Sequence, residues 1–281
     1  MEATVSESMV ESFATTLSGQ EAHPSHAVVR GRGPHHVIML NGWFGRAGNW
    51  GPFADCLDTD RFTWHFFEYR GYGTRREETG VFSLAEIAGE VVDYVQRLDA
   101  AQVSVVGHSM GAVIMQRVML DLPTPPVALV GISPVPASGT PLNEQQRALF
   151  ESAATKVESR GRIINLTTGN CLPATWVHHL AQDSWQHTRP HAVANYLSVW
   201  ADCDFASELG VRDLPILLLT GDRDPVVTVA AIESAYGGTY PGMQVDTIAD
   251  TGHYAMFEHP VDLAARVMGF LDAAAGGPGV R

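Results

Sequence analysis

Gly107-His108-Ser109-Met110-Gly111 sets one hydroxyl between two glycines, directly after the apolar run at residues 102–106 and before an apolar helical stretch at residues 110–120. A G-x-S-x-G pentapeptide at a strand-to-helix switch is what a nucleophile elbow requires. The sharp turn lifts the serine out of the backbone path, and the glycines let neighbouring segments approach. The following helix directs its N-terminus at the same point, which favours developing negative charge.

A serine hydroxyl is a weak nucleophile and needs a general base. Of the 12 histidines, His253 in Asp250-Thr251-Gly252-His253 stands between the expected last strand and last helix. There its loop overhangs the carboxyl ends of the strands, beside Ser109. His259, which precedes Pro260, is expected to cap the final helix. The base in turn needs a carboxylate to set its tautomer and stabilise the imidazolium. Thr220-Gly221-Asp222-Arg223-Asp224-Pro225 offers two candidates at the end of an apolar strand. Asp224 lies farther into the loop, stiffened by Pro225, and is favoured. Asp222, beside the strand, is the alternative and is suited to bonding amides of the turn. A tetrahedral intermediate also needs oxyanion donors. The amides of Met110, after the nucleophile, and Trp43, in Asn41-Gly42-Trp43-Phe44-Gly45, are expected to supply them.

Strands and helices must alternate to hold these groups. Residues 36–40, 62–68, 102–106, 127–132, 214–219 and 244–248 read as short apolar strands, several ending at a glycine. Ser83-Leu84-Ala85-Glu86 reads as a capping box opening a helix whose apolar face is Leu84, Ile87, Val91, Val95 and Leu98. Pro260 starts a last helix with Leu263, Val267, Phe270 and Leu271 on one face. This alternation predicts an α/β protein, a mostly parallel sheet flanked by helices. Strand signals disappear between residues 136 and 207, where one clear helix is expected over residues 141–159. That stretch is too long for a loop and predicts an inserted helical lid. The core domain would then comprise residues 1–135 and 208–281. Roughly the first 20 residues are polar, an arm or an edge strand, and the tail from Ala273 with Gly276-Gly277-Pro278-Gly279 is expected to be mobile.

Composition narrows the function classes. The chain of 281 residues has a formal net charge of −13, which disfavours nucleic-acid binding. Its three cysteines, Cys56, Cys171 and Cys203, form no C-x-x-C pair and suggest neither a disulfide framework nor a zinc ribbon. Neither a signal peptide nor a membrane-spanning run is read, so a cytoplasmic setting is expected. His178-His179 and His187-x-x-x-His191 lack carboxylate or cysteine partners at ligand spacing, so no metal is expected. Gly71-Tyr72-Gly73 lacks the third glycine of a dinucleotide loop, and no cofactor is expected.

Asn41-Gly42-Trp43, Tyr69-Arg70-Gly71-Tyr72-Gly73, the elbow, Gly221 to Asp224 and Gly252-His253 together resemble the α/β-hydrolase superfamily in order and spacing. Within it, the Gly-Trp loop and Ser-Met pair look like bacterial aryl esterases and cofactor-free perhydrolases. Asn41 departs from the histidine that most members place before the glycine, a position that supports the loop. The Arg-Gly-Tyr-Gly stretch is similar to epoxide hydrolases, but those and haloalkane dehalogenases carry Asp where this chain has Ser109. The resemblance implies an α/β-hydrolase fold and hydrolysis of a small carboxylic ester or lactone through an acyl-enzyme. Phe44, His108, Trp176, Trp185 and Tyr254 are expected to line the substrate pocket, which favours an apolar or aromatic substrate. Carbon–carbon hydrolysis of ring-fission diketones, perhydrolysis or acyl transfer would use the same residues. A ligand receptor retaining the fold is a reading from another class.

Overall fold

The computed structural model describes residues 26–276. The expected N-terminal arm and the end of the Gly-Pro tail lie outside the described residues. Among the described residues, seven strands form one sheet: β1 (Ala27–Gly31), β2 (His35–Leu40), β3 (Phe62–Phe67), β4 (Gln102–His108), β5 (Leu129–Ile132), β6 (Ile216–Gly221) and β7 (Gln244–Ile248). Their order is β1-β3-β2-β4-β5-β6-β7. Only β1 is antiparallel to its neighbour. β3, β5 and β6 are buried along their whole length, as strands covered on both faces must be. β1 was not among the expected strands. It is a short, half-exposed edge strand of five residues, Ala27–Gly31.

Helices flank the sheet: α1 (Leu84–Gln96) packs on α2 (Met110–Asp121), α8 (Val229–Tyr236) packs on β7, and α9 (Ala255–Glu258) and α10 (Pro260–Ala274) close the chain. Between β5 and β6 the chain is helical instead: α3 (Glu144–Ser152), α4 (Val157–Thr167), α5 (Ala174–His187), α6 (Pro190–Ala201) and α7 (Ala206–Leu209). Among the described residues, no helix is long and apolar enough to cross a membrane.

Local chemistry explains where these elements depart from expectation. The single helix expected over residues 141–159 is two. Asn143 and Gln146 form a reciprocal capping box that starts α3 late. The carbonyl of Ala153 is then taken by Arg160 Nε at 2.8 Å, and extended backbone at Lys156 precedes the restart as α4. At α1, Ser83 Oγ accepts from the Glu86 amide at 3.2 Å, but the Glu86 carboxylate reaches past Ser83 to the amides of Val81 and Phe82. Only half of the expected box forms. His259 occupies the N-cap position of the last helix, but its side chain makes no capping bond. The last helix also continues through Ala273 and Ala274, residues expected to begin the mobile tail.

Candidate active site

Ser109 follows directly on β4 and opens α2 with φ 53° and ψ −118°, a conformation that costs a non-glycine residue about 1–3 kcal/mol. The surroundings hold it there. Its amide donates to the Ile132 carbonyl at 3.0 Å, and its carbonyl accepts from Ala112 at 2.9 Å and Val135 at 3.3 Å. Both flanking glycines are sterically required. A Cβ on Gly107 would lie 2.4 Å from the Gly111 carbonyl oxygen, and one on Gly111 would lie 2.1 Å from the Leu40 carbonyl oxygen. Ser109 Oγ makes no hydrogen bond among the described residues, and Ser109 faces a cavity that His253 also lines.

His253 sits in the turn between β7 and α9. Its Nδ1 lies 2.6 Å from Asp224 Oδ2. A carboxylate only accepts, so this bond places the proton on Nδ1 and leaves Nε2 as the basic nitrogen. Asp224 is 3% exposed, and its Oδ1 accepts from the amides of Val226 and Val227 at 2.9 and 3.1 Å. Burial alone would raise the Asp224 carboxyl, but His253 and those two amides hold it below its ordinary range. Asp222 is occupied elsewhere, its Oδ1 accepting from the Thr251 amide at 3.2 Å. The geometry therefore puts Asp224 behind the imidazole and Asp222 in the turn.

The base loop is fixed from both sides. The His253 amide donates to the Thr167 carbonyl at the end of α4, 3.1 Å away. His108 Nε2 donates to the His253 carbonyl at 2.9 Å. Burial, then the nearby His253, depresses the His108 imidazole to about 3, so it is neutral and the bond needs no charge. A Cβ on Gly252 would fall 2.5 Å from Thr168 Cα, so glycine is what admits α4 this close.

The loop after β2 is braced as tightly. Asn41 Nδ2 donates to the carbonyls of Gly42 and Gly45 at 3.2 and 3.0 Å, so asparagine itself supports the loop. Tyr69 Oη donates to the Asn41 carbonyl at 3.0 Å, and Tyr72 Oη to the Trp43 carbonyl at 2.7 Å. These two bonds give the Tyr69-Arg70-Gly71-Tyr72-Gly73 motif its structural purpose. Trp43 Nε1 reaches the Val193 carbonyl in α6 at 2.9 Å. The amides of Trp43 and Met110 have no hydrogen-bond partner among the described residues, the condition an oxyanion donor must meet.

The cavity measures about 410 Å³, and no Asp, Glu, Lys or Arg lines it. Phe44, His108 and Tyr254 line it, as expected, together with Trp43, Trp50, Phe150 and Trp200. Trp43 stacks on Phe44 and Phe150, with ring centroids 4.5 and 5.8 Å apart. Trp176 and Trp185 do not line it, contrary to expectation. Trp176 packs edge-on against Tyr254 and Phe257 at 6.0 and 5.7 Å. Trp185 lies 5.0 Å from the fully buried Arg160 guanidinium, which explains its position without a ligand. Among the described residues, no group of three or more His, Cys, Asp or Glu is arranged to hold a metal, and the three cysteines are free.

The family model described as the alpha/beta hydrolase family matches residues 37–266. The chain is 24% identical over 245 residues to the dihydrolipoyllysine-residue acetyltransferase component of the acetoin cleaving system of Cupriavidus necator, covering 84% of this chain. It spans only 63% of that relative's length. Among solved structures, a bromoperoxidase from Bacillus anthracis superposes with a TM-score of 0.79 at 16% identity, covering 88% of this chain and 94% of the other. An esterase from Exiguobacterium antarcticum superposes with a TM-score of 0.75 at 17% identity, with the same coverage of 88% and 94%. At such identities the likeness is one of fold.

Proposed function

This chain belongs to the alpha/beta hydrolase family, and on that premise we propose that it is a serine hydrolase of small carboxylic esters or lactones. Its family and its structural likeness to an esterase support a hydrolase in general. The observation that carries the finer reading is the 2.6 Å contact between His253 Nδ1 and Asp224, facing the same cavity as the strained Ser109.

In this reading, His253 Nε2 takes the proton of Ser109 Oγ as that oxygen attacks the carbonyl carbon. Negative charge gathers on the former carbonyl oxygen, where the Trp43 and Met110 amides receive it. Asp224 steadies the imidazolium through Nδ1. Collapse of the intermediate expels the alkoxide, which leaves as the alcohol with the proton from His253. Water, deprotonated by the same nitrogen, attacks the acyl-enzyme, and breakdown returns the proton to Ser109 and releases the acid. Catalytic hydrogen bonds often close only once a substrate is in place, which accounts for an unbonded Ser109 hydroxyl.

The cavity's aromatic, uncharged lining supports an apolar or aromatic substrate, since a buried ion there would have no counter-charge. Residues 136–207 act as the lid in this reading, closing the site with Leu149, Phe150, Leu166, Leu180 and Trp200. The chemistry as written needs no metal or cofactor.

A panel of chromogenic esters and lactones, with a ring-fission diketone as comparison, tests the assignment. Ester or lactone turnover that falls by about 10⁴-fold or more in Ser109→Ala is expected. Turnover unchanged in that variant removes the serine mechanism, and turnover of the diketone alone moves the assignment to carbon–carbon hydrolysis.

A further inference from the structure

Glu258, the last residue of α9, holds the backbone amides of the two residues that flank His253. Its Oε2 accepts from the Gly252 amide at 2.8 Å and its Oε1 from the Tyr254 amide at 3.0 Å. We propose that Glu258 is a positioning residue for the catalytic base, setting the loop so that His253 meets Ser109 and Asp224 together. This rests on the serine hydrolase reading above.

The chemistry of the contact selects a carboxylate. Both groups that face it are N–H donors, so both of its oxygens must accept. Glutamine offers one accepting oxygen and sets an NH₂ donor against the second N–H. Burial raises the Glu258 carboxyl above its ordinary range, against the pull of those two amides, so placing a carboxyl here has a cost. The cost is understandable if the geometry of His253 depends on it. The other anchors of this loop come from separate parts of the fold: the Thr167 carbonyl in α4, His108 at the end of β4, and Asp224 after β6. Glu258 is local to the loop, and its one carboxylate takes the amides of the residues both before and after the base.

Glu68 supplies an internal control. It too is a carboxylate accepting from two amides, Ala47 at 3.0 Å and Thr74 at 3.3 Å, but it is fully buried and does so in the turns after β2 and β3. Its loss removes the same kind of bond pair away from the base.

The test compares the full chain with Glu258→Gln, Glu258→Asp and Glu68→Gln. The readouts are kcat and KM on a chromogenic ester and the far-downfield proton resonance of the Asp224-bonded imidazole N–H. Glu258→Gln is expected to lower kcat about 10- to 100-fold while KM stays within about twofold, because misplacing a catalytic group slows chemistry more than binding. The imidazole resonance should move or broaden. Glu258→Asp, which keeps two acceptors on a shorter stem, should fall between wild type and Glu258→Gln, and it serves alone if the glutamine variant does not fold. Glu68→Gln should lose stability and keep the resonance. Wild-type kcat with an unmoved resonance in both Glu258 variants would overturn the proposal. Absence of turnover by the wild-type chain on every ester and lactone would instead sink the hydrolase reading, leaving the resonance to judge Glu258 alone.

Discussion

The cavity has two walls built on different principles. The sheet wall is polar and made of strand ends: Ser109 after β4, His253 after β7 with Asp224 of the β6 loop behind it, and the Trp43 amide after β2. Each strand is locked in register by its neighbours, so the loops inherit their positions from the backbone ladder. The helical wall is apolar and made of side chains, among them Leu149, Phe150, Ile163, Leu166, Leu180 and Trp200 from α3 to α6. Its placement relies on packing and on a few polar ties, including Trp43 to Val193, His253 to Thr167, and the paired bonds of 3.0 and 2.7 Å from Arg46 to Asp183. On the proposed reading, chemistry belongs to the strand-end wall and substrate choice to the helical one, a division usual where loops on a scaffold carry function.

Substitutions on each wall test that division. The largest effect is expected for Asp224→Asn, which keeps the shape but favours the wrong imidazole tautomer; kcat should fall about 10⁴-fold. A loss confined to KM would place Asp224 outside the chemistry. Phe150→Ala, on the helical wall, should raise KM for a bulky apolar ester about tenfold and leave kcat within about threefold, since it removes contact area that ground and transition states share. Steady-state kinetics across acyl chain lengths would reveal the pattern, and a kcat collapse would erase the division between walls. The smallest effect is expected at the seam, in His108→Gln. Burial sets the folded imidazole at about 3 against 6.5 for the free group, so between those values the unfolded chain binds a proton that the native chain refuses. Stability is then highest above 6.5 and declines as pH falls toward 3. His108→Gln removes that contribution, so urea midpoints should decline less between neutral and acid pH than in the wild type; equal declines would count against a neutral His108.

The same division explains what the sequence discloses. The elbow, the Asp224 loop and the His253 loop were legible because strand, glycine and helix start are local signals, and the parallel-sheet reading followed from their alternation. The helical wall was not. A tryptophan at helical spacing reveals a face of its own helix but not which neighbour that face meets. Trp185 thus turned to Arg160, and Trp176 to Tyr254, while Trp200 reached the cavity. The break between α3 and α4 was equally hidden, because a side chain seven residues on, Arg160, takes the Ala153 carbonyl. Glu258 left no sequence signal of its own. Its meaning lies in two amides that only the fold of the turn brings to one carboxylate. Tyr69 and Tyr72 were visible as a motif, yet their bonds to the loop after β2 needed the tertiary structure.

The most direct measurement is covalent trapping. The chain is exposed to a fluorophosphonate and the adduct mapped by peptide mass spectrometry, with Ser109→Ala and Asp224→Asn alongside. The account predicts a single phosphonylated residue, Ser109, with no labelling in the alanine variant and strongly slowed labelling in the asparagine one. An adduct on another side chain, or equal labelling of all three proteins, would contradict it.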